Sequence, residues 1–240
     1  MTDKTSLISD LKKEFSEHLQ TKAPGSAQST LNTLWDIYEE DAPGNKKEQL
    51  AVTLAESFSS IGEHYEETLD IFSLLDCVNG CRDLLGDFPE NEECAFYFLE
   101  SMTGLLYVKI MMREDGMVKE FGDEIFKIAN RFPENEKVCS QACGGLVNLI
   151  PLCGGFDAPL SLAYNAADKV AVLSKLHPTS EAVQTALGHA LISVCAIARR
   201  TDNLDAFYKF AEQLMQFLEE KNGVFNTAEI DAHFNEAMFI

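Results

Sequence analysis

Apolar residues recur along this chain at intervals of four positions, and the clearest runs each follow a short polar turn that contains proline. These turns read FPENEEC at residues 88–94, FPENEKV at 132–138 and HPTSEAV at 177–183. Their prolines, separated by 44 and then 45 positions, are Pro89, Pro133 and Pro178. Because proline cannot continue the preceding helix, each turn predicts the end of one helix and the start of the next.

Each turn also carries residues that favour the start of a helix. A polar side chain at the N-cap can accept a hydrogen bond from an exposed backbone N–H group, and the next glutamate lies where the helix dipole favours negative charge. The pairs are Asn91-Glu92, Asn135-Glu136 and Ser180-Glu181. The following helices align without gaps, with apolar residues at i, i+4 and i+8 on one face. These residues are Cys94, Phe98 and Met102, then Val138, Ala142 and Leu146, then Val183, Leu187 and Leu191.

Two weaker copies of the apolar stripe extend the repeat in both directions. They are Leu50, Leu54 and Phe58 upstream, and Ile230, Phe234 and Met238 downstream, where Thr227 is the expected cap. Another periodic segment precedes each copy, over about 28–40, 67–87, 117–131, 159–176 and 203–221. The repeating unit is therefore a helix pair of about 44 residues.

Self-similarity at this period is typical of an α-solenoid, in which each helix pair buries its apolar face against its neighbours. An extra helix is predicted over residues 5–19, and no run alternates apolar and polar positions as a strand would. The sequence predicts an all-α, right-handed solenoid of about five two-helix repeats, forming a single domain over residues 1–240.

One repeat carries a more specific pattern. Residues 135–150, NEKVCSQACGGLVNLI, resemble the last helix of an armadillo-type repeat, and residues 154–194 keep a similar outline. The period fits the HEAT and armadillo range better than the 34 residues of tetratricopeptide repeats. The paired helices and the FPENE turn are also similar to tetratricopeptide-like proteins. The resemblance covers residues 45–240 and implies an α-solenoid that binds other proteins and has no catalytic residues.

The composition is that of a folded, strongly acidic protein. Hydrophobic residues make up 46% of the 240 positions, and 39 Asp+Glu against 19 Lys+Arg give a net charge of −20. This charge disfavours nucleic acids and anionic membranes as partners, because both attract clustered Lys and Arg. The N-terminus has no basic region followed by an apolar one, and the apolar stretch 143–156 is too short to span a bilayer. We therefore expect a cytoplasmic protein with reduced cysteines.

The negative charge is concentrated within residues 56–100, where twelve acidic residues accompany a single Arg82. In the aligned helices, the sixth position after the first apolar residue lies opposite the buried stripe, and equivalent positions of stacked repeats form a column. That column contains Glu56, Gly144, His189, Glu100 and Glu236. We predict an acidic face at Glu56, Glu100 and Glu236, with Glu92 and Glu93 nearby, that binds a basic peptide or protein. The alternative is ordinary solubilising charge.

The remaining candidate chemistry is sparse. The pairs Cys77/Cys81 and Cys139/Cys143 have i, i+4 spacing, so each could offer two ligands to a metal, although small buried thiols explain them as well. No catalytic or phosphate-binding motif is recognisable. The aromatic run 96–98 predicts either a ligand pocket or a central helix packed on both sides.

Three functional hypotheses follow from these patterns. The first is a non-enzymatic protein-interaction scaffold or adaptor without a cofactor or metal. The second is a helical metal- or small-ligand-binding protein, or an enzyme subunit, that uses the cysteine pairs or the aromatic helix. The third is self-assembly through the C-terminal helix, since the last helix reaches Ile240 without a polar capping helix.

Overall fold

The computed structural model describes residues 4–40, 45–153 and 158–221. Within these ranges the chain forms α-helices, one 3₁₀ turn at Ile150–Leu152 and no strand, which confirms the predicted all-α class. The helices are α1 (Lys4–Gln20), α2 (Pro24–Glu40), α3 (Asn45–Thr68), α4 (Ile71–Asp87), α5 (Glu92–Met112), α6 (Val118–Arg131), α7 (Glu136–Leu149), α8 (Leu160–Leu176), α9 (Glu181–Arg200) and α10 (Leu204–Lys221).

The three proline turns begin helices as predicted. Asn91 Oδ1 accepts a hydrogen bond from the Cys94 backbone N–H at 2.9 Å, and Asn135 Oδ1 accepts one from Val138 at 3.1 Å. Ser180 Oγ accepts the corresponding bond at the start of α9 at 3.4 Å. Each cap satisfies one of the backbone donors that a helix start leaves without an intrahelical partner.

The predicted apolar stripes form the core of the helix pairs. All three stripe residues of α5 and all three of α7 are fully buried. In the copies over residues 50–58 and 183–191, Phe58 and Leu187 are only partly buried, while the other stripe residues are buried. The predicted fifth copy, from Thr227 to Met238, lies outside the described residues.

A second kind of turn connects one helix pair to the next, and the sequence did not indicate it. Lys22, Leu69, Arg113 and Asp202 each follow a helix with a positive φ between 53° and 57°. After α3, the Leu69 N–H bonds to the Glu66 carbonyl and the Asp70 N–H to the Tyr65 carbonyl, the Schellman pattern. The helix predicted over about 67–87 therefore begins at Ile71 and not near residue 67.

The chain divides into two compact units, Met1–Val108 and Lys109–Ile240. In the first unit, α1 packs on α2, α2 on α3, and α3 on α4. In the second unit, α7 packs against α6, α8 and α9, while α6 also contacts α8 and α9 contacts α10. Helices in equivalent positions of successive pairs are thus neighbours, which is the stacking of a helical repeat. The right-handed winding of the solenoid and its organisation as a single domain remain predictions.

Side-chain hydrogen bonds join positions that are about one repeat apart. Asn91 Nδ2 donates to Glu48 Oε1 at 2.9 Å across 43 residues of sequence. In the second unit, His177 Nε2 lies 3.0 Å from the Pro133 carbonyl oxygen, 44 residues earlier. That oxygen can only accept, so the histidine ring donates. The proline turns of two successive repeats are therefore bonded directly to each other.

Two helices, α5 and α9, are long and apolar enough to cross a membrane by length and composition. The most apolar stretch of the sequence lies elsewhere, at residues 143–156. More than half of each apolar window is buried within the protein. Core helices pass the same test of length and composition, so this feature is weak evidence for a membrane span.

Candidate acidic interaction site

Two helices of the first unit supply a set of neighbouring acidic side chains. On each helix, intervals of three and four residues place the side chains on one face. The rows are Glu56, Ser59, Glu63 and Glu66 on α3, and Glu93, Tyr97, Glu100 and Gly104 on α5. We call the five carboxylates of these rows the α3–α5 acidic face.

Direct contacts hold the two rows together. Ser59 Oγ donates a hydrogen bond to Glu100 Oε2 at 2.6 Å. The carboxylate of Glu66 lies against Gly104, where an added Cβ atom would overlap Glu66 Oε1. The absence of a side chain at residue 104 therefore lets a carboxylate of α3 approach the backbone of α5.

Three of the predicted site residues act on one phenol. The pKa of Tyr97 is raised above its usual value, first by burial and then by the negative charges of Glu56, Glu93 and Glu100. A neighbouring charge shifts a pKa most strongly at short range, because salt screens charges more than about 10 Å away, and partial burial reduces this screening. The structure thus places Glu56, Glu93 and Glu100 within electrostatic range of one phenol.

Glu66 is the most constrained member of the face. Its pKa is raised by burial first, and then by the charges of Glu63 and Glu100. Among the described residues, no lysine, arginine or histidine forms an ion pair with any carboxylate of the α3–α5 acidic face. The face therefore concentrates negative charge that no described cation neutralises through an ion pair.

Neutralising Glu66 with the isosteric Glu66→Gln change should stabilise the protein near pH 7. A carboxyl whose pKa is raised on folding contributes to the stability of the protein below the pKa that it has in the unfolded chain. This stability is lost as the pH rises through the pKa that it has in the folded protein. We expect the thermal midpoint of the variant to exceed that of the parent at pH 7 and to match it near pH 4. The exposed neighbour offers a matched control, Glu67→Gln, for which the midpoint should not change. Equal midpoints for the parent and Glu66→Gln at pH 7 would contradict the interpretation of Glu66 as a destabilising charge.

The acidic face continues around α3 into a groove beside α1. Glu56 and Glu63 line this groove together with Glu67, and its volume is about 510 Å³. Lys12 and Lys22 lie on the opposite wall. A ligand that enters the groove would therefore meet carboxylates along α3 and ammonium groups along α1 and the turn that follows it.

The remaining predicted site residues lie apart from the two rows. Glu92 is exposed in the first turn of α5, one position before the row that begins at Glu93. Glu236 lies outside the described residues. Glu63 and Glu66 were not predicted as site residues, since the predicted column contains one position per repeat. Their signal in the sequence is the spacing of seven and ten residues from Glu56, which places them on the same face of α3.

The cysteine pairs are buried thiols. All seven cysteines are free and buried in the described ranges, and burial is the main cause that raises the pKa of Cys77 and Cys143 to about 12 and of Cys139 to about 11. Cys81 Sγ lies 3.6 Å from the Ala55 carbonyl oxygen. Thiols with raised pKa values are protonated near neutral pH, which makes them poor nucleophiles and ligands. Within the described residues, no group of three or more His, Cys, Asp or Glu side chains is arranged to hold a metal.

The aromatic run of α5 is divided between core and surface. Phe98 is fully buried, and the Arg82 guanidinium carbon lies 5.5 Å from the centre of its ring. Phe96 and Tyr97 are only partly buried and meet edge to face, with ring centres 5.3 Å apart. One ring therefore anchors the core, while the other two extend towards the surface.

These features define an all-α helical-repeat protein. No protein-family model matches the chain, and no curated protein matches it. Among solved structures, a match covers 97% of this chain and 96% of a de novo designed helical repeat protein, with 16% identity and a TM-score of 0.22. The class assignment rests on the helix pairs, their caps and their stacking in this chain.

Proposed function

We propose that this protein is a non-enzymatic scaffold or adaptor that binds a basic segment of another protein on the α3–α5 acidic face. The observation that carries this proposal is the convergence of five carboxylates without an ion-pair partner among the described residues. Like charges held close together repel each other, so a cationic ligand that neutralises them is favoured.

The arrangement suits a ligand with several positive charges. The carboxylates follow two helices, so successive Lys or Arg residues of one peptide can pair with successive acids. The net charge of −20 would also attract a basic partner from a distance and speed its association. Stacked helix pairs present extended surfaces of this kind to protein ligands. A cytoplasmic location is part of the same proposal.

Fluorescence anisotropy with a labelled Lys/Arg-rich peptide of about 12 residues tests this function. The peptide should bind at an ionic strength of about 0.05 M and lose affinity as salt increases, because screening shortens the range of the attraction. A peptide of equal length with Gln in place of every Lys and Arg serves as the control and should not bind. Absence of binding at low salt, or equal binding of the neutral peptide, would contradict the proposal.

Self-association is a second candidate function, supported by one surface. Leu204, Tyr208 and Met215 of α10 lie on one side of the helix at intervals of four and seven residues, and each is at least half exposed. Exposed apolar side chains in such a row favour contact with another protein surface. Light scattering over a range of concentrations should then show dimers or larger species, whereas a monomer at every concentration would exclude this candidate.

A further inference from the structure

A second concave surface of the first unit contains Trp35, the single tryptophan of the sequence. The groove lies between the last turns of α2 and α4 and has a volume of about 640 Å³. Its lining consists of Trp35, Tyr38, Glu39, Lys47, Arg82, Asp83, Gly86 and Asp87. We call this surface the Trp35 groove. It shares no residue with the α3–α5 acidic face.

The aromatic rings of the groove are held in place by their polar edges. Trp35 Nε1 donates to Glu39 Oε1 at 2.9 Å, and the Tyr38 hydroxyl donates to Asp87 Oδ2 at 2.5 Å. The two ring centres are 5.6 Å apart, and the Phe58 ring meets the indole edge to face, with ring centres 5.7 Å apart. Tyr38 is buried while Trp35 is only partly buried. The indole is thus fixed in orientation and still accessible to a ligand.

Two cationic side chains of the chain itself, Lys47 and Arg82, line the groove. Lys47 Nζ lies 4.3 Å from the centre of the Tyr38 ring, in a cation–π contact. Arg82 reaches Asn79 and the Phe98 ring. Asp83 is exposed and has no hydrogen bond or ion pair with the described residues. An accessible indole therefore lies in the same groove as a carboxylate that forms no ion pair with the described residues.

We propose that the Trp35 groove binds an arginine side chain of a peptide or protein ligand, with the guanidinium stacked on Trp35 and paired with Asp83. Arginine suits this lining better than lysine, because its planar, weakly hydrated guanidinium stacks on aromatic faces and pairs with carboxylates in a fixed fork. The site goes beyond the proposed scaffold function, since it would bind arginine even if the α3–α5 acidic face bound nothing.

Gly86 allows the groove to be blocked without disturbing the core. No atom lies within 4 Å of a Cβ added at Gly86, which lines the groove on α4. A Gly86→Leu side chain would therefore occupy open space in the groove. Gly25 on α2 offers a matched control, because its added Cβ is equally unobstructed and Gly25 does not line the groove. Both changes replace a helical glycine with a better helix former.

The emission of Trp35 reports on the groove directly, because no other tryptophan contributes to it. The full chain is titrated with acetylated hexa-arginine and with acetylated hexalysine. We expect a saturable change in emission with hexa-arginine and at least threefold weaker binding of hexalysine. Gly86→Leu and Asp83→Asn should each weaken hexa-arginine binding about fivefold, the equivalent of about 1 kcal/mol for a lost cation–π or ion-pair contact, and Gly25→Leu should not. Circular dichroism checks that each variant keeps its helices.

Three results would overturn the Trp35 site. The first is an emission change that does not saturate, and the second is equal affinity for hexa-arginine and hexalysine. The third is full binding by Gly86→Leu together with loss of binding when Glu56 and Glu93 are both changed to lysine. That pattern would place the peptide on the α3–α5 acidic face and exclude the groove. Full retention of the Trp35 response in the lysine variant would show that the groove acts independently.

Discussion

Truncation of Phe98 by Phe98→Ala is expected to lower the free energy of unfolding by about 3–5 kcal/mol. The ring is fully buried on the inner face of α5, so its removal eliminates apolar contacts and leaves a cavity that close-packed neighbours fill only partly. Phe98 also belongs to the apolar stripe that defines the repeat. Urea unfolding followed by circular dichroism would measure the loss as a lower midpoint with an unchanged slope.

The neighbouring Phe96 supplies the control for this prediction. Phe96 is only partly buried and contacts Tyr97 at the edge of its ring. We expect Phe96→Ala to cost about 1 kcal/mol, near the average for single substitutions. An equal decrease in the free energy of unfolding for the two variants would mean that Phe98 stabilises the protein no more than its partly exposed neighbour. That result would contradict the assignment of Phe98 to the buried stripe of the repeat.

Reversal of two charges by Glu56→Lys together with Glu93→Lys is expected to weaken binding of the Lys/Arg-rich peptide at least tenfold at low salt. Both side chains are exposed, and the negative charges of both raise the pKa of Tyr97. The change therefore replaces attraction of the basic peptide to this part of the face by repulsion. A tenfold loss corresponds to about 1.4 kcal/mol, which two well-placed charge pairs supply. Glu100 is left unchanged, because its carboxylate accepts the hydrogen bond from Ser59.

A matched variant separates local charge from total charge. Asp10→Lys with Asp36→Lys changes the net charge by the same amount, and both residues are exposed on α1 and α2 outside the α3–α5 acidic face. This control should retain affinity within about threefold, since more distant charges are screened at moderate salt. Equal losses in the two double variants would show that only bulk charge attracts the peptide.

The helix starts and the buried stripes could be predicted because their causes are local. A proline turn, a capping side chain such as Asn91 or Asn135, and apolar residues at intervals of four act within one or two helical turns. The left-handed residues at the ends of α1, α3, α5 and α9 could not be predicted in this way. Three of them, Lys22, Leu69 and Arg113, are residue types that seldom adopt positive φ, so no glycine marked the turns.

The acidic face could be predicted only in part, for a physical reason. Glu56 and Glu100 were found because equivalent positions of stacked repeats lie side by side. The role of Glu66 depends on the close approach of its carboxylate to Gly104, which is a contact between helices and leaves no trace in the spacing along the chain. The Trp35 groove likewise depends on individual contacts between helices, such as the hydrogen bond from Tyr38 to Asp87, which the repeat pattern alone does not specify.

Backbone amide NMR of the full chain, with and without the Lys/Arg-rich peptide, tests most directly whether a basic ligand binds the α3–α5 acidic face. The helical-repeat scaffold proposed here predicts that chemical-shift changes concentrate in residues 56–66 of α3 and 93–104 of α5 and saturate together. Shifts that follow exposed acidic residues throughout the described helices, or that leave both segments unchanged while the peptide binds, would contradict it.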